Sequence, residues 1–169
     1  MNRRFFCNAL GFFGVGATLP LTACSAGASK KTFPLQLSEA EWRKLLPYDR
    51  FQVLRNDATE PSGSSALNKE ENAGTYTCAG CNLPLFSSVN KYDSGTGWPS
   101  FWQPLHADNI GTTKDFKLIL PRTEYHCARC GGHQGHIFDD GPRPTGKRYC
   151  NNGLALKFVP EDEALPDLV

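Results

Sequence analysis

Four cysteines come in two pairs, Cys78 with Cys81 in "CAGC" and Cys127 with Cys130 in "CARC", while Cys150 in "KRYCNNGLAL" has no close companion. Each pair is spaced so that two thiolates grip one tetrahedral ion, and the long interval between pairs lets two separate turns converge on it. The spacing predicts a closed structural Zn2+ site. Two disulfides or a redox-active pair are the alternative readings of the same residues. Four thiolates fill the coordination sphere and leave no place for substrate or an activated water, so this ion is expected to hold the fold and do no chemistry. Of the seven cysteines, Cys7 is expected to leave with an N-terminal signal and Cys24 to carry lipid, so Cys150 is the one free sulfur left, either a reactive thiol or a small buried core residue.

The elements that position these sulfurs follow from local pattern. "LSEAEWRKLLP" reads as a helix, with Ser38 as N-cap, Glu41 completing a capping box, and an end before Pro47. A second helical stretch follows in "YDRFQVLRN", and "EPSGSSALNKEENAG" is loop by composition. Beyond it the chain breaks into short runs, "TYTC", "PLFSS", "FKLILP", "EYHC", "HIF" and "LALKFVP", separated by Gly, Pro, Asn and Asp, which read as strands. Leu154, Leu156 and Phe158 alternate with Ala155 and Lys157, the mark of a half-buried strand after Cys150. The expected architecture is mainly antiparallel β-sheet with a short helical lead-in. The 169 residues suffice for one ordinary domain, and a formal net charge of +1 without a basic stripe argues against a nucleic-acid partner.

The first residues read as an address. "MNRRFF" places Arg3 and Arg4 together ahead of an apolar stretch, and Leu21, Thr22 and Ala23 before Cys24 resemble the lipobox of bacterial lipoproteins. The twin arginine resembles the signal of the twin-arginine export route, with Asn2 where Ser or Thr is usual. The expectation is a signal peptide over residues 1–23, lipid on Cys24, a flexible tether over 24–37, a catalytic domain over 38–160 and a tail over 161–169. The product is an exported lipoprotein held on a membrane and facing the periplasm or cell exterior. An uncleaved anchor and a plain cleaved signal are the alternatives. A tethered single domain is most simply a monomer. Export through a route that carries folded proteins would also let the four thiols meet zinc before they meet oxidant.

Taken in order, "GWPSF" (97–101), "HQGHIFDDGP" (133–142), "RYCNN" and the two Cys-x-x-Cys pairs resemble the peptide-methionine (R)-S-oxide reductases, the MsrB family, over roughly residues 38 to 160. The resemblance implies a zinc-pinned fold of two antiparallel sheets, and reduction of the R epimer of methionine sulfoxide in proteins. That chemistry needs a nucleophile, an acid near the sulfoxide oxygen and a pocket for the methyl group. Cys150 is the candidate nucleophile. An ordinary thiol with a pKa near 8.5 is only a few per cent thiolate at neutral pH. Arg148, two positions away on a strand and so on the same face, is placed to favour the thiolate. His133 and His136 are the candidate proton donors, with His136 the more direct partner. Trp98 offers an indole wall to the methyl group; Phe101 and Trp102 read as packing. By correspondence with the family, Asn152 orients the site and Asp140 fixes an imidazole tautomer, although Asp139 is equally suited by chemistry alone.

Three departures bear on mechanism. Many family members carry a resolving cysteine where "DSGTGWPSF" has Thr96, so turnover is expected to leave Cys150 as a sulfenic acid that only an outside thiol, thioredoxin-like or small, can reduce. Gly153 stands where Ser is common and is expected only to loosen a local hydrogen bond. "SGSSALN" lacks the aromatic usual in that loop. Two other classes keep the same residues: a zinc-pinned binding module with Cys150 buried, and a thiol hydrolase built on Cys150, a histidine and Asn152.

Overall fold

A computed structural model of the chain describes residues 32–117 and 120–169. The twin arginine, Cys24 and most of the expected tether lie outside the described residues. Among those described, no helix is long and apolar enough to cross a membrane.

Helix α1 (Glu39–Leu45) begins as its capping signal requires: the Ser38 N–H donates to Glu41 Oε2 at 2.7 Å, and the Glu41 N–H donates to Ser38 Oγ at 3.3 Å. Helix α2 (Tyr48–Asn56) follows Pro47 and buries Phe51, Val53 and Leu54. Among the described residues nine strands then form two antiparallel sheets. The smaller is β1 (Gly74–Cys78) between β2 (Pro84–Ser87) and β9 (Leu156–Pro160). The larger runs in the order β3 (Lys91–Tyr92), β4 (Ser100–Phe101), β8 (Arg148–Asn151), β7 (His133–Phe138), β6 (Arg122–Cys127), β5 (Ile110–Asp115).

Aromatic side chains fill the core. Phe86 and Phe101 stack at 4.2 Å, Tyr76 meets Phe101 edge-on at 4.9 Å, and Tyr125 meets Tyr149 at 5.4 Å. Tyr76, Phe86, Phe101 and Tyr125 are each fully buried, a contribution of about 1.5–3 kcal/mol apiece, with roughly 0.5–1.5 kcal/mol more for each ring pair. The backs of β4, β6 and β8 are thereby fixed, and their opposite faces are left for chemistry.

Three expectations are corrected. "FKLILP" is no strand in its described part: Phe116 and Lys117 follow the end of β5, and Phe116 and Leu120 are exposed. The strand is formed by "IGTTKD" just upstream, where full pairing with β6 outweighs the weak β-propensity of Gly111 and Asp115. The tether expected over 24–37 is not borne out in its described part. Phe33 packs edge-on to His126 at 5.4 Å, the Leu35 N–H donates to the Arg129 carbonyl at 2.9 Å, and Leu35 and Leu37 join the core. Residues near the C-terminus are also tied down: Asn82 donates to the Asp167 carbonyl at 2.8 Å, Arg129 to that of Val169 at 2.7 Å, and the Val169 N–H to that of Cys81 at 3.3 Å. Strand β9 starts at Leu156, with Gly153–Ala155 forming a 3-10 turn, so Leu154 is not part of the alternating run.

Candidate active site and metal centre

The metal-ligand cysteines sit on two knuckles built by one local rule. After β1 the Asn82 N–H returns to the Cys78 carbonyl at 2.8 Å, and after β6 the Gly131 N–H returns to the Cys127 carbonyl at 2.9 Å. The residue after each second cysteine adopts positive φ, 62° at Asn82 and 69° at Gly131, conformations suited to Asn and Gly. At Gly131 a Cβ would also lie 2.3 Å from the Phe33 ring. The four sulfurs are buried and converge within 4.8 Å of one another, with Cys78 to Cys130 at 3.7 Å and Cys81 to Cys127 at 3.5 Å. A tetrahedron with Zn–S bonds of about 2.3 Å has edges of about 3.8 Å, so the residues fit one structural Zn2+. No disulfide joins the described cysteines.

Beyond the metal centre, strand pairing puts the chemistry in one cross-strand row. Ser100 on β4 faces Cys150 on β8, Cys150 faces His136 on β7, and His136 faces Glu124 on β6. Directly paired residues project from the same face of a sheet. Where β7 runs beside β8, a Cβ on Gly135 would lie 1.9 Å from the Cys150 carbonyl oxygen, which leaves no room for a side chain.

His133 lies three residues from His136, a separation that on a regular strand would put the rings on opposite faces. A β-bulge at Gln134, the residue without a partner between the Tyr125–Gly135 and His126–His133 pairs, restores them to one face. The rings meet edge-on at 5.5 Å. His133 is almost fully buried, with Nδ1 3.1 Å from Glu124 Oε1 and a buried Nε2 without a partner. Burial pushes the Glu124 carboxyl up, but hydrogen bonds from His126 and His133 overcome it and bring it down to about 2. His136 Nε2 lies 2.7 Å from Asp115 Oδ2, an oxygen that Arg122 also reaches at 2.7 Å. The Lys117 N–H, His136 and Arg122 together hold Asp115 far below the usual carboxylate range. Asp115 therefore accepts from Nε2–H, and neutral His136 keeps Nδ1 as its basic atom. Burial lowers the His136 pKa despite Asp115, helped by nearby Arg122 and His133.

Cys150 opens on a cavity of about 120 Å³, the space of roughly four waters, bounded by Trp98, Phe138, Arg122, His136 and Asn152. Burial raises the Cys150 thiol above its ordinary value, while Arg148 and Thr96 pull it down incompletely. Arg148 is beside the sulfur as its spacing predicts, yet it does not make a standing thiolate. Its guanidinium stacks over Phe138 at 4.2 Å and is gripped by Asp140 through two 2.8 Å hydrogen bonds. The role expected of Asp140 is thus corrected: its carboxylate orients Arg148, and the imidazoles are held by Asp115 and Glu124. Asp139 is exposed and pairs with Lys147.

Asn152 is buried, donating to the Gln134 carbonyl at 3.0 Å and accepting from the Glu60 N–H at 3.0 Å, and it lines the cavity. Gln134 in turn brings its amide to 3.5 Å from Cys78 Sγ, so a single residue spans the metal centre and the active site. The Trp98 indole N–H donates to the Glu60 carbonyl at 3.1 Å. Gly97, with φ +86°, lets the loop after Glu60 close in: the Gly97 carbonyl accepts from the Gly63 N–H at 2.8 Å and from Asn68 at 2.9 Å. Gly153 does more than loosen a hydrogen bond, since a Cβ there would lie 1.9 Å from Ser65 Oγ. Glu60, Asp115 and Glu124 are absent from the sequence-level expectations. Being carboxylates in or near β5, β6 and a loop, they carried no spacing signal toward Cys150; strand order reveals Asp115 and Glu124, and the packing of the loop against Gly153 and Leu154 reveals Glu60.

A zinc-knuckled β-fold presenting one free cysteine, an imidazole and an indole around a small cavity defines a thiol-dependent enzyme. The SelR domain model matches residues 46–160. Proteins described as peptide methionine sulfoxide reductase MsrB are similar throughout: that of Leptospira interrogans is 46% identical over 76% of this chain and 98% of its own length. That of Methanosarcina barkeri is 47% identical over 76% and 91%, and that of Pseudomonas putida 48% identical over 73% and 93%. The chain belongs to the MsrB family, enzymes that reduce methionine-(R)-sulfoxide.

Proposed function

We propose that Cys150 performs this reduction as nucleophile, with His136 carrying the proton. Neutral His136 takes the Cys150 proton at Nδ1 while the thiolate attacks the sulfoxide sulfur. The imidazolium, supported by Asp115 through Nε2–H, passes that proton to the sulfoxide oxygen. Collapse transfers the oxygen to Cys150, releasing the thioether and leaving a sulfenic acid, so the two electrons gained by methionine come from the cysteine. Trp98 and Phe138 enclose the methyl group, and burial keeps Cys150 protonated until substrate arrives. The observation that carries this reading is the direct pairing of Cys150 with His136 on one face, beneath Trp98.

Thr96 supports reduction from outside, because its hydroxyl lies beside Cys150 and cannot form a disulfide with it. Two successive thiols, from a thioredoxin-like protein or a small molecule, convert sulfenic acid first to a mixed disulfide and water, then to free Cys150. The four remaining described cysteines are assigned to Zn2+, which fastens the two knuckles and takes no part in these steps. The Cys24 motif and the twin arginine support an exported, lipid-anchored monomer that repairs oxidised envelope proteins. Separated R and S diastereomers of methionine sulfoxide, offered with dithiothreitol to the protein and its Cys150→Ser variant, test the chemistry. Reduction of R alone, lost in the variant, is expected; turnover by the variant would overturn it. Labelling with radioactive palmitate, abolished by Cys24→Ala, tests the anchor.

A further inference from the structure

The loop before the first knuckle contributes a buried carboxylate that the reaction does not consume. Glu60 is 4% exposed. Its Oε1 accepts from the Gly153 N–H at 2.7 Å and its Oε2 from the Leu154 N–H at 2.9 Å. No lysine, arginine or histidine pairs with it among the described residues. The main chain of the same residue holds two cavity walls: its N–H donates to Asn152 Oδ1 at 3.0 Å, and its carbonyl accepts the Trp98 indole N–H at 3.1 Å. Four bonds thus converge on one residue, from Trp98 on one side and from three consecutive residues, Asn152, Gly153 and Leu154, on the other.

A buried carboxylate without a cation is a costly feature for a loop, and an amide or an apolar side chain would plug the space more cheaply. What a carboxylate offers is acceptance at both oxygens, which two adjacent N–H groups require. Glutamine cannot reproduce it, because its amide NH2 would face one N–H donor to donor. The surrounding packing leaves little slack: Gly153 meets Ser65, and Gly97 meets Ser62, where an added Cβ would lie 2.1 Å from Ser62 Oγ. The indole, in the bend before β4, is therefore set by the loop that carries Glu60 rather than by strand pairing.

We propose that Glu60 is the positioning residue of the site, fixing the distance between the Trp98 wall and the segment that follows Cys150. Its carboxylate anchors the turn at Gly153 and Leu154, and its backbone then places the indole and Asn152 in common register. This rests on the reductase reading, with Trp98 as the wall for the substrate methyl. Glu60 touches neither substrate nor sulfur, so its loss displaces the wall while sparing the thiol.

The test compares wild type with Glu60→Gln. For a peptide bearing methionine-(R)-sulfoxide, kcat/KM is expected to fall about tenfold, mostly through KM, with iodoacetamide alkylating Cys150 at the wild-type rate. The Trp98 indole proton, one of three tryptophan signals, should shift and exchange faster with water in the variant, with those of Trp42 and Trp102 unchanged. A fall in kcat alone with KM and the Trp98 signal unmoved would mean mere loss of folded protein and overturn the proposal, as would wild-type kinetics. Wild-type hydrogen exchange serves even if the variant does not fold: Gly153 and Leu154 amides exchanging as freely as unprotected amides would refute the hold. Absence of activity in wild type would sink the reductase reading, and the exchange measurement would still judge Glu60.

Discussion

Replacing Asp115 with Asn removes one charge from the proton path and leaves its shape. Asp115 and His136 have side-chain exposures of 8% and 13%, so water screens their 2.7 Å contact little. A hydrogen bond to a charged group contributes about 1.5–3 kcal/mol and a neutral one about 0.5–1.5, a difference of about 1–2 kcal/mol. The imidazolium that forms as Cys150 surrenders its proton loses that support, so kcat/KM at pH 7 should drop roughly 5- to 30-fold. The sign in pH also follows. A His136 deprived of its anion protonates less readily, and because the neutral ring is the working form, the acid limb of kcat/KM moves to lower pH. Reduction of a chromophoric methionine-(R)-sulfoxide substrate between pH 5 and 9 reads both effects, with circular dichroism confirming the fold. A limb that stayed in place, or moved upward, together with activity within twofold of wild type, would refute the assignment of Asp115 to the proton path.

Thr96→Cys should redirect the oxidised enzyme. Dimedone trapping after one turnover without reductant is expected to label Cys150 in wild type, whereas the variant should lose its label and form a disulfide with release of water, seen by mass. For Gly131→Ala, positive φ costs about 1–2 kcal/mol and the Phe33 overlap adds to it, so zinc release to a chromogenic chelator should accelerate and the unfolding midpoint should fall. Glu124→Gln probes linkage: a carboxyl brought from 4.5 to about 2 adds of order 3 kcal/mol above its unfolded value and loses it as pH falls through the folded one. The gap in urea midpoint between wild type and this variant should be full near neutrality and close between about pH 4.5 and 2.

Much of this was legible in the sequence where one residue signals by itself. The capping box at Ser38 and Glu41, the paired cysteines and the unpaired Cys150 each declare a local geometry. The two histidines were legible as chemistry but not as neighbours, because their shared face depends on a bulge that β6 and β7 settle only after pairing. Asp115 and Glu124 reach the imidazoles across strands, and Glu60 reaches the turn after Cys150 from 93 residues away. "FKLILP" misled because a run of apolar residues has the right composition for a strand without having a partner. Asp140 misled for a related reason, since two adjacent carboxylates differ only in which cation each meets. Phe33 and Leu35 looked like spacer because their contacts lie on the second knuckle, far along the chain.

The strand that carries Cys78 lies between β2 and β9, and β9 leaves the ribosome some eighty residues after it. Until then the first knuckle hangs from a half-built sheet, and the second cannot be locked against it. Metal capture therefore waits for the second knuckle, and any cell making this enzyme must shelter the bare sulfurs of Cys78 and Cys81 until Cys127 and Cys130 have been made.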